Sequence, residues 1–354
     1  MIEDCLVVDS IVHAYNFSPE NLTDPAAAQR IAGLLLGLQA AFSPKGEPQW
    51  LLKPENFLKG ADIDLLANAL FGESQVDICV FHELPIRLFR DGGSPMWAAR
   101  EMRKRWPGRV LIYGAICPHA DDPIGQIDRA VEEDGVIGIK LYPIDLIEGK
   151  MQGYDMADPE LMFPLYEHMQ KRGVKTVGIH KAIPFGGISI EPYRMADVGH
   201  AATAFPGLNF EIVHGGFAYL EETAMHLTHF PNVSVNLEAT SAFIPTASRR
   251  FAEIIGTLIQ AAGGADRIMF ASGCTAIHPR PLIEGFWNLE MPEDLMENYN
   301  IPPLTKEMKR QILGENQARI CGLDLAAMQK QFAGDEFDRK TALATPWSGG
   351  WVYA

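Results

Sequence analysis

VIGIKLYP (136–143), KTVGIH (175–180), FEIVHG (210–215) and VSVNLEA (233–239) are four short apolar runs, each carrying a polar or ionisable side chain near its end. Helix-like segments separate them, such as ELMFPLYEHMQKRG (160–173) and FAYLEETAMHLTHF (217–230). Strands that alternate with helices pair in parallel, and near-continuous apolar runs suit strands covered on both faces. Working outward, the same kind of run recurs at LVVDSIVH (6–13), VDICVF (76–81), RVLIYGAI (109–116) and RIMFASGC (267–274), with PIGQIDRAVEED (123–134) as a further helix. Eight such strands predict an α/β fold, a closed (β/α)8 TIM barrel, in preference to an open doubly wound sheet.

Two stretches fall outside the repeat. Residues 14–75 form an insertion after the first strand, with an apolar helical run, IAGLLLGLQAAF (31–42), followed by Pro-rich loop. It is expected either to cover the barrel mouth or to pack outside. The tail, 332–354, passes through DEFDRKTA and ends TPWSGGWVYA. Trp347, Trp351 and Tyr353 would be unusual on a free tail, so the tail is expected to dock, on the partner subunit of a homodimer. No Gly/Ser linker divides the chain, which reads as one barrel domain over 1–331 plus that tail.

Composition narrows the function classes. The net charge of -15 and pI near 5.1 repel phosphate backbones and argue against nucleic acid. Five scattered cysteines without CxxC spacing (Cys5, Cys79, Cys117, Cys274, Cys321) argue against a disulfide framework or a zinc cluster. The opening MIEDCLVVDS has acids where a signal peptide carries basic residues. No apolar run reaches the roughly 18 residues that span a bilayer. A cytoplasmic protein acting on a small molecule, with no membrane partner, is expected.

In a parallel barrel, chemistry sits where strands end. Here those ends carry His13, His82, Lys140, His180, His214, Glu238 and Cys274. A lone histidine at such a place is more often structural. Several converging on one mouth suit metal binding or proton transfer near neutral pH.

GVIGIKLYP (135–143), PLYEHMQKRGVKTVGIHKA (164–182), FPGLNFEIVHGGFAYLEE (205–222), HFPNVSVNLEA (229–239), ADRIMFASGC (265–274) and ILGENQARICGL (312–323) together resemble the amidohydrolase-related proteins. The resemblance is to the branch holding aminocarboxymuconate-semialdehyde decarboxylase and the hydroxybenzoate decarboxylases. It implies zinc or manganese held by His13 and His180, with His214 beside the metal handling protons. The family's HxH or ExH falls on Ile11-Val12-His13, so isoleucine stands at the first ligand position. Its strand-eight Asp falls on Gly273.

Isoleucine and glycine offer no donor atoms, while a tetrahedral zinc site wants three protein ligands. Three repairs are open: Glu238 reaching in from the neighbouring strand, a Cys274 thiolate, or His214 joining His13 and His180. Adjacent strand residues point to opposite sides, which counts against Cys274. The three-histidine set is preferred. If none holds, no metal is bound.

The resemblance implies a lyase or hydrolase on a small carboxylated or aromatic substrate, with non-oxidative decarboxylation the first expectation. His214 would transfer protons, Lys140 would stabilise developing negative charge, and Glu238 would supply a carboxylate. His82 and Cys274 would contact substrate. The alternatives are a metal-free isomerase, hydratase or cyclase on imidazole chemistry, and a non-catalytic paralogue supporting an active partner subunit.

Overall fold

The computed structural model describes residues 1–184, 187–338 and 342–347. The first four runs form β1 (Val8–Val12), β2 (Ile78–His82), β3 (Val110–Ala115) and β4 (Gly138–Leu141). An antiparallel hairpin that the alternation does not predict follows, β5 (Ile144–Ile147) with β6 (Lys150–Gly153). The series resumes as β7 (Thr176–His180), β8 (Asn209–Val213), β9 (Val233–Asn236) and β10 (Ile268–Met269). Barrel strands pair in the order β1-β2-β3-β4-β7-β8-β9-β10, every pair parallel.

The last strand returns to the first. Ser10 N donates to the Phe270 carbonyl at 3.1 Å, and His13 N to that of Cys274 at 2.6 Å. Gly273 N closes on the Ile11 carbonyl at 3.1 Å. The sheet is a closed TIM barrel, as the alternation predicts. β10 is shorter than the run RIMFASGC, and the physical reason is local. Gly273 leaves strand geometry at φ 70°, and the Asp9 carboxylate takes the Ser272 amide at 2.9 Å and the Ser272 hydroxyl.

Helices cover the outside with one apolar stripe each. Ser248–Ala262 buries Phe251, Ile254, Ile255, Leu258 and Ile259, the spacing of one helical face. It stops at Gly263, whose φ of 73° is the left-handed cap that glycine adopts without strain. Inside the barrel, register aligns Lys140, Gly178 and Glu211 in one row across β4, β7 and β8. Tyr113 on β3 crosses the interior to donate to Glu211 at 3.1 Å. A Cβ on Gly138 would lie 2.7 Å from the Tyr113 ring, so that glycine makes the crossing possible.

The insertion forms α1 (Pro25–Phe42), started by Pro25 and capped by the Asp24 carboxylate on the amides of Ala26 and Ala27. No helix among the described residues is long and apolar enough to cross a membrane. At the tail, Trp347 is buried in its own chain, edge-on to His278 at 4.9 Å, with its amide on the Glu73 carboxylate at 2.6 Å. Trp351 and Tyr353, the other aromatic residues expected to dock, lie outside the described residues.

The helix Leu325–Phe332 packs on the far end of the barrel and is pinned by Arg109. Arg109 is 1% exposed, makes a bidentate pair with Asp335, donates to the Asp77 carbonyl at 3.0 Å and stacks on Phe332 at 4.1 Å. Losing one partner of a pair at a buried guanidinium is costly. Arg109→Ala is expected to lower unfolding free energy by about 3 kcal/mol, read from urea melts. A change under about 0.5 kcal/mol, the range of ordinary surface substitutions, would refute the anchoring role.

Candidate active site

His13, His180, His214 and Glu238 lie at or just past the ends of β1, β7, β8 and β9. In a parallel barrel these ends open on one face, and all four side chains line a single cavity of about 50 Å³ there. The remaining wall is apolar. α1 contributes Ile31, Leu35, Leu38 and Phe42, while Phe17 and Phe89 close the sides. Tyr15, Tyr142, Ser272 and Gly273 complete the polar end. The helix α1 of the insertion thus turns its buried face to the cavity.

Carbonyl contacts assign two of the three imidazole tautomers. The Ile183 carbonyl only accepts, so His180 donates to it through Nε2 at 2.7 Å. His180 Nδ1 is then an acceptor, 3.0 Å from His214 Nε2. His214 Nδ1 lies 3.2 Å from the Glu238 carbonyl, which also only accepts, so the single proton of a neutral His214 has an acceptor at each nitrogen. The Glu238 carboxyl lies 3.5 Å from that Nδ1. On the other side, His13 donates through Nδ1 to the His82 carbonyl at 2.9 Å. Its Nε2 lone pair faces Glu238 at 4.0 Å. One carboxyl therefore stands between the His13 and His214 rings.

Glu238 is where it is because Gly273 has no side chain. A Cβ on Gly273 would lie 2.7 Å from Glu238 Oε1 and 3.0 Å from Glu238 Cγ. The β9 carboxylate fills the space that a side chain after β10 would occupy. Backbone strain gathers at the same place, with His214 at φ 64° and Ala239 at φ 60°. Such outliers persist where surrounding structure holds them, and they concentrate at functional sites.

Burial sets the protonation states. Burial holds His13 down to about 3, helped by the Lys140 ammonium. Burial likewise holds His180 and His214 well below the usual imidazole range, so all three rings are neutral at pH 7. The Glu238 carboxyl is pushed up to about 7 by burial, against the pull of Lys140. Lys140 itself is brought down to about 8 by burial, opposed by Glu238 and Glu211. Near neutral pH, Glu238 populates both its acid and its base form.

The amidohydrolase family profile (Amidohydro_2) matches residues 69–323. The chain belongs to the amidohydrolase family. No curated protein matches it in sequence. Among solved structures, it is similar to an uncharacterised TIM-barrel protein from Bordetella bronchiseptica, with 17% identity, TM-score 0.60, and 92% of this chain and 99% of that one covered. A 5-carboxyvanillate decarboxylase from Novosphingobium aromaticivorans, with bound manganese and a nitrobenzoic acid, gives 13% identity, TM-score 0.56, and coverage of 91% and 98%. The 2,6-dihydroxybenzoate decarboxylase from Rhizobium gives 15% identity, TM-score 0.54, and coverage of 90% and 99%. At these identities the likeness is one of fold.

The amidohydrolase metal does not fit the donors of this chain. Ile11 packs with Val213 and Ala271 in a small apolar cluster. Gly273 offers no atom, and both nitrogens of His180 are engaged by Ile183 and His214. Among the described residues, no three or more His, Cys, Asp or Glu side chains are arranged to hold a metal ion. The preferred three-histidine repair is not the arrangement adopted, because His214 bonds to His180 instead of pointing with it at a shared ion. The Glu238 carboxyl, the first of the repairs, stands in the space above Gly273.

Three expected site residues lie outside the cavity wall. Lys140 is buried beneath the mouth, with Nζ 5.4 Å from the Tyr142 ring centre, and acts on the site through its charge. His82 stacks on Tyr113 at 4.4 Å, meets the His13 ring edge-on at 6.2 Å and accepts from His13 Nδ1 through its backbone carbonyl. Cys274 packs in the core outside the wall, and burial pushes its thiol well above the ordinary range. Neither substrate contact expected of His82 and Cys274 has a place in this wall. Conversely, Tyr15 and the α1 residues line it without having been singled out. Tyr15 sits two residues beyond His13, and that same-side spacing was the available signal.

Proposed function

We propose that this amidohydrolase-family chain is a metal-independent acid–base enzyme in which Glu238 removes and returns a proton. The observation that carries the reading is the Glu238 carboxyl in the space above Gly273, between His13 Nε2 and His214 Nδ1. In its ionised form Glu238 takes a proton from a carbon made acidic by neighbouring unsaturation. The freed electron pair delocalises into the substrate. The proton, now on Glu238, returns at another carbon, so an isomer leaves and no co-reactant is consumed. A group that titrates near the working pH serves both steps.

Decarboxylation by the same residues is the second reading, favoured by the fold neighbours that decarboxylate 5-carboxyvanillate and 2,6-dihydroxybenzoate. Neutral Glu238 would protonate the ring carbon bearing the carboxylate. The C–C bond would break, its electron pair would restore the ring, and carbon dioxide would leave, with solvent reprotonating Glu238. The Lys140 ammonium would steady the negative charge left on Glu238, a fixed cation in a dry interior being suited to that role.

Proton NMR in D2O with a panel of unsaturated ketones and aromatic acids tests both readings. Deuterium incorporation or isomerisation that persists in EDTA supports the first, and carbon dioxide release supports the second. Turnover that appears only with added zinc or manganese would overturn the metal-free chemistry. Elemental mass spectrometry after zinc or manganese loading is expected to find far less than one ion per chain. Near-stoichiometric metal, lost in His13→Ala, would overturn it as well.

A further inference from the structure

We infer that the cavity selects a small, uncharged, largely apolar carbonyl compound, and that the Tyr15 hydroxyl is the donor that receives its oxygen. This rests on the acid–base reading of the same site and adds the class of substrate to it. Two observations carry it independently of any titration.

The first is what the wall lacks. Among the described residues, no lysine or arginine lines the cavity. Lys140 is 1% exposed and lies outside the wall. A carboxylate entering would exchange its water for Phe17, Leu35, Phe42 and Phe89, and would sit beside the Glu238 carboxyl. Burying an unpaired charge against apolar side chains is strongly unfavourable, and a like charge adds to the cost. A neutral molecule meets neither penalty.

The second is an unused donor. Tyr15 is 6% exposed, lines the cavity, and packs 5.2 Å from the His13 ring, between it and Phe17. Its hydroxyl makes no hydrogen bond with any described residue. Buried hydroxyls nearly always have partners, so one left open at a cavity wall is a place for a ligand. A carbonyl oxygen only accepts, and it matches that O–H. The match also suits the chemistry, because loss of a proton beside a carbonyl places negative charge on its oxygen. A preorganised donor there stabilises the enolate as it forms.

Binding separates this inference from the catalytic reading. Acetone and butanone are titrated against acetate and propanoate by saturation-transfer NMR and calorimetry. At least one ketone is expected to bind at least about tenfold tighter than its matched carboxylate, the difference a desolvated charge imposes. Tyr15→Phe is expected to weaken that ketone about fivefold, the worth of one hydrogen bond, with its carboxylate unchanged. Leu35→Trp, which fills the cavity from α1, is expected to abolish binding without touching the polar end. Carboxylates bound as tightly as ketones, no ketone bound, or Tyr15→Phe without effect would each overturn the inference. Ketone binding of the expected pattern with no proton exchange in D2O would leave it standing and remove the catalytic reading instead.

Discussion

Glu238→Gln is expected to lower kcat/KM about 10³-fold, within the range for removing a general acid–base group. The amide keeps the shape of the carboxyl but neither takes nor returns a proton. The wild-type rate of proton abstraction should rise with pH to a plateau, with its midpoint near 7, because burial pushes Glu238 up to about that value. Stability carries the same signature with opposite sign. The folded carboxyl binds its proton more tightly than the unfolded one, whose pKa is about 4.5. Between those values the native state holds more protons than the unfolded chain, so stability falls as pH rises through the window. Glu238→Gln removes that part of the slope. Asp9 and Glu83, also raised to about 7 by burial, keep a residual slope of the same sign. An active enzyme whose rate survives Glu238→Gln would end the assignment, as would a midpoint near 4.5.

Gly273→Asp, the change that restores the family's residue, is expected to damage this chain. A Cβ there meets Glu238 Oε1 at 2.7 Å, and the backbone sits at φ 70°, where glycine is at home and other residues are strained. The new carboxyl would also share a buried site with the Glu238 carboxyl, and two such charges ionise together only at a cost. A loss of about 3 kcal/mol at pH 8 is expected, shrinking at pH 5 where both groups take protons. Glu238→Ala in the same chain vacates the space and should recover most of the loss, so a double-mutant cycle reads the coupling. If the single change is tolerated and the cycle is additive, Glu238 does not fill the position left by Gly273.

The barrel was legible from the start because strand and helix periodicity are local properties. Eight apolar runs separated by helix-like segments indicate parallel pairing, and parallel pairing delivers their reactive ends to one face. The family resemblance was equally legible, since it rests on ordered motifs between Gly135 and Leu323. So was the loss of two donors, because Ile11 and Gly273 are read directly from the chain.

What the sequence alone did not decide is which side chains meet. His82 and Lys140 sit at strand ends as read, yet the wall is drawn from Tyr15, Tyr142 and the inner face of α1. An apolar helical run announces that it will be buried, but says nothing of what it will cover. That the Glu238 carboxyl would stand above Gly273 was likewise hidden. It depends on a contact between residues 35 positions apart, made where the chain leaves its strands at His214, Ala239 and Gly273 with positive φ. Pattern fixes the direction of a side chain relative to its strand. The distance between groups on different strands is set by barrel closure and by the space that one missing side chain leaves open.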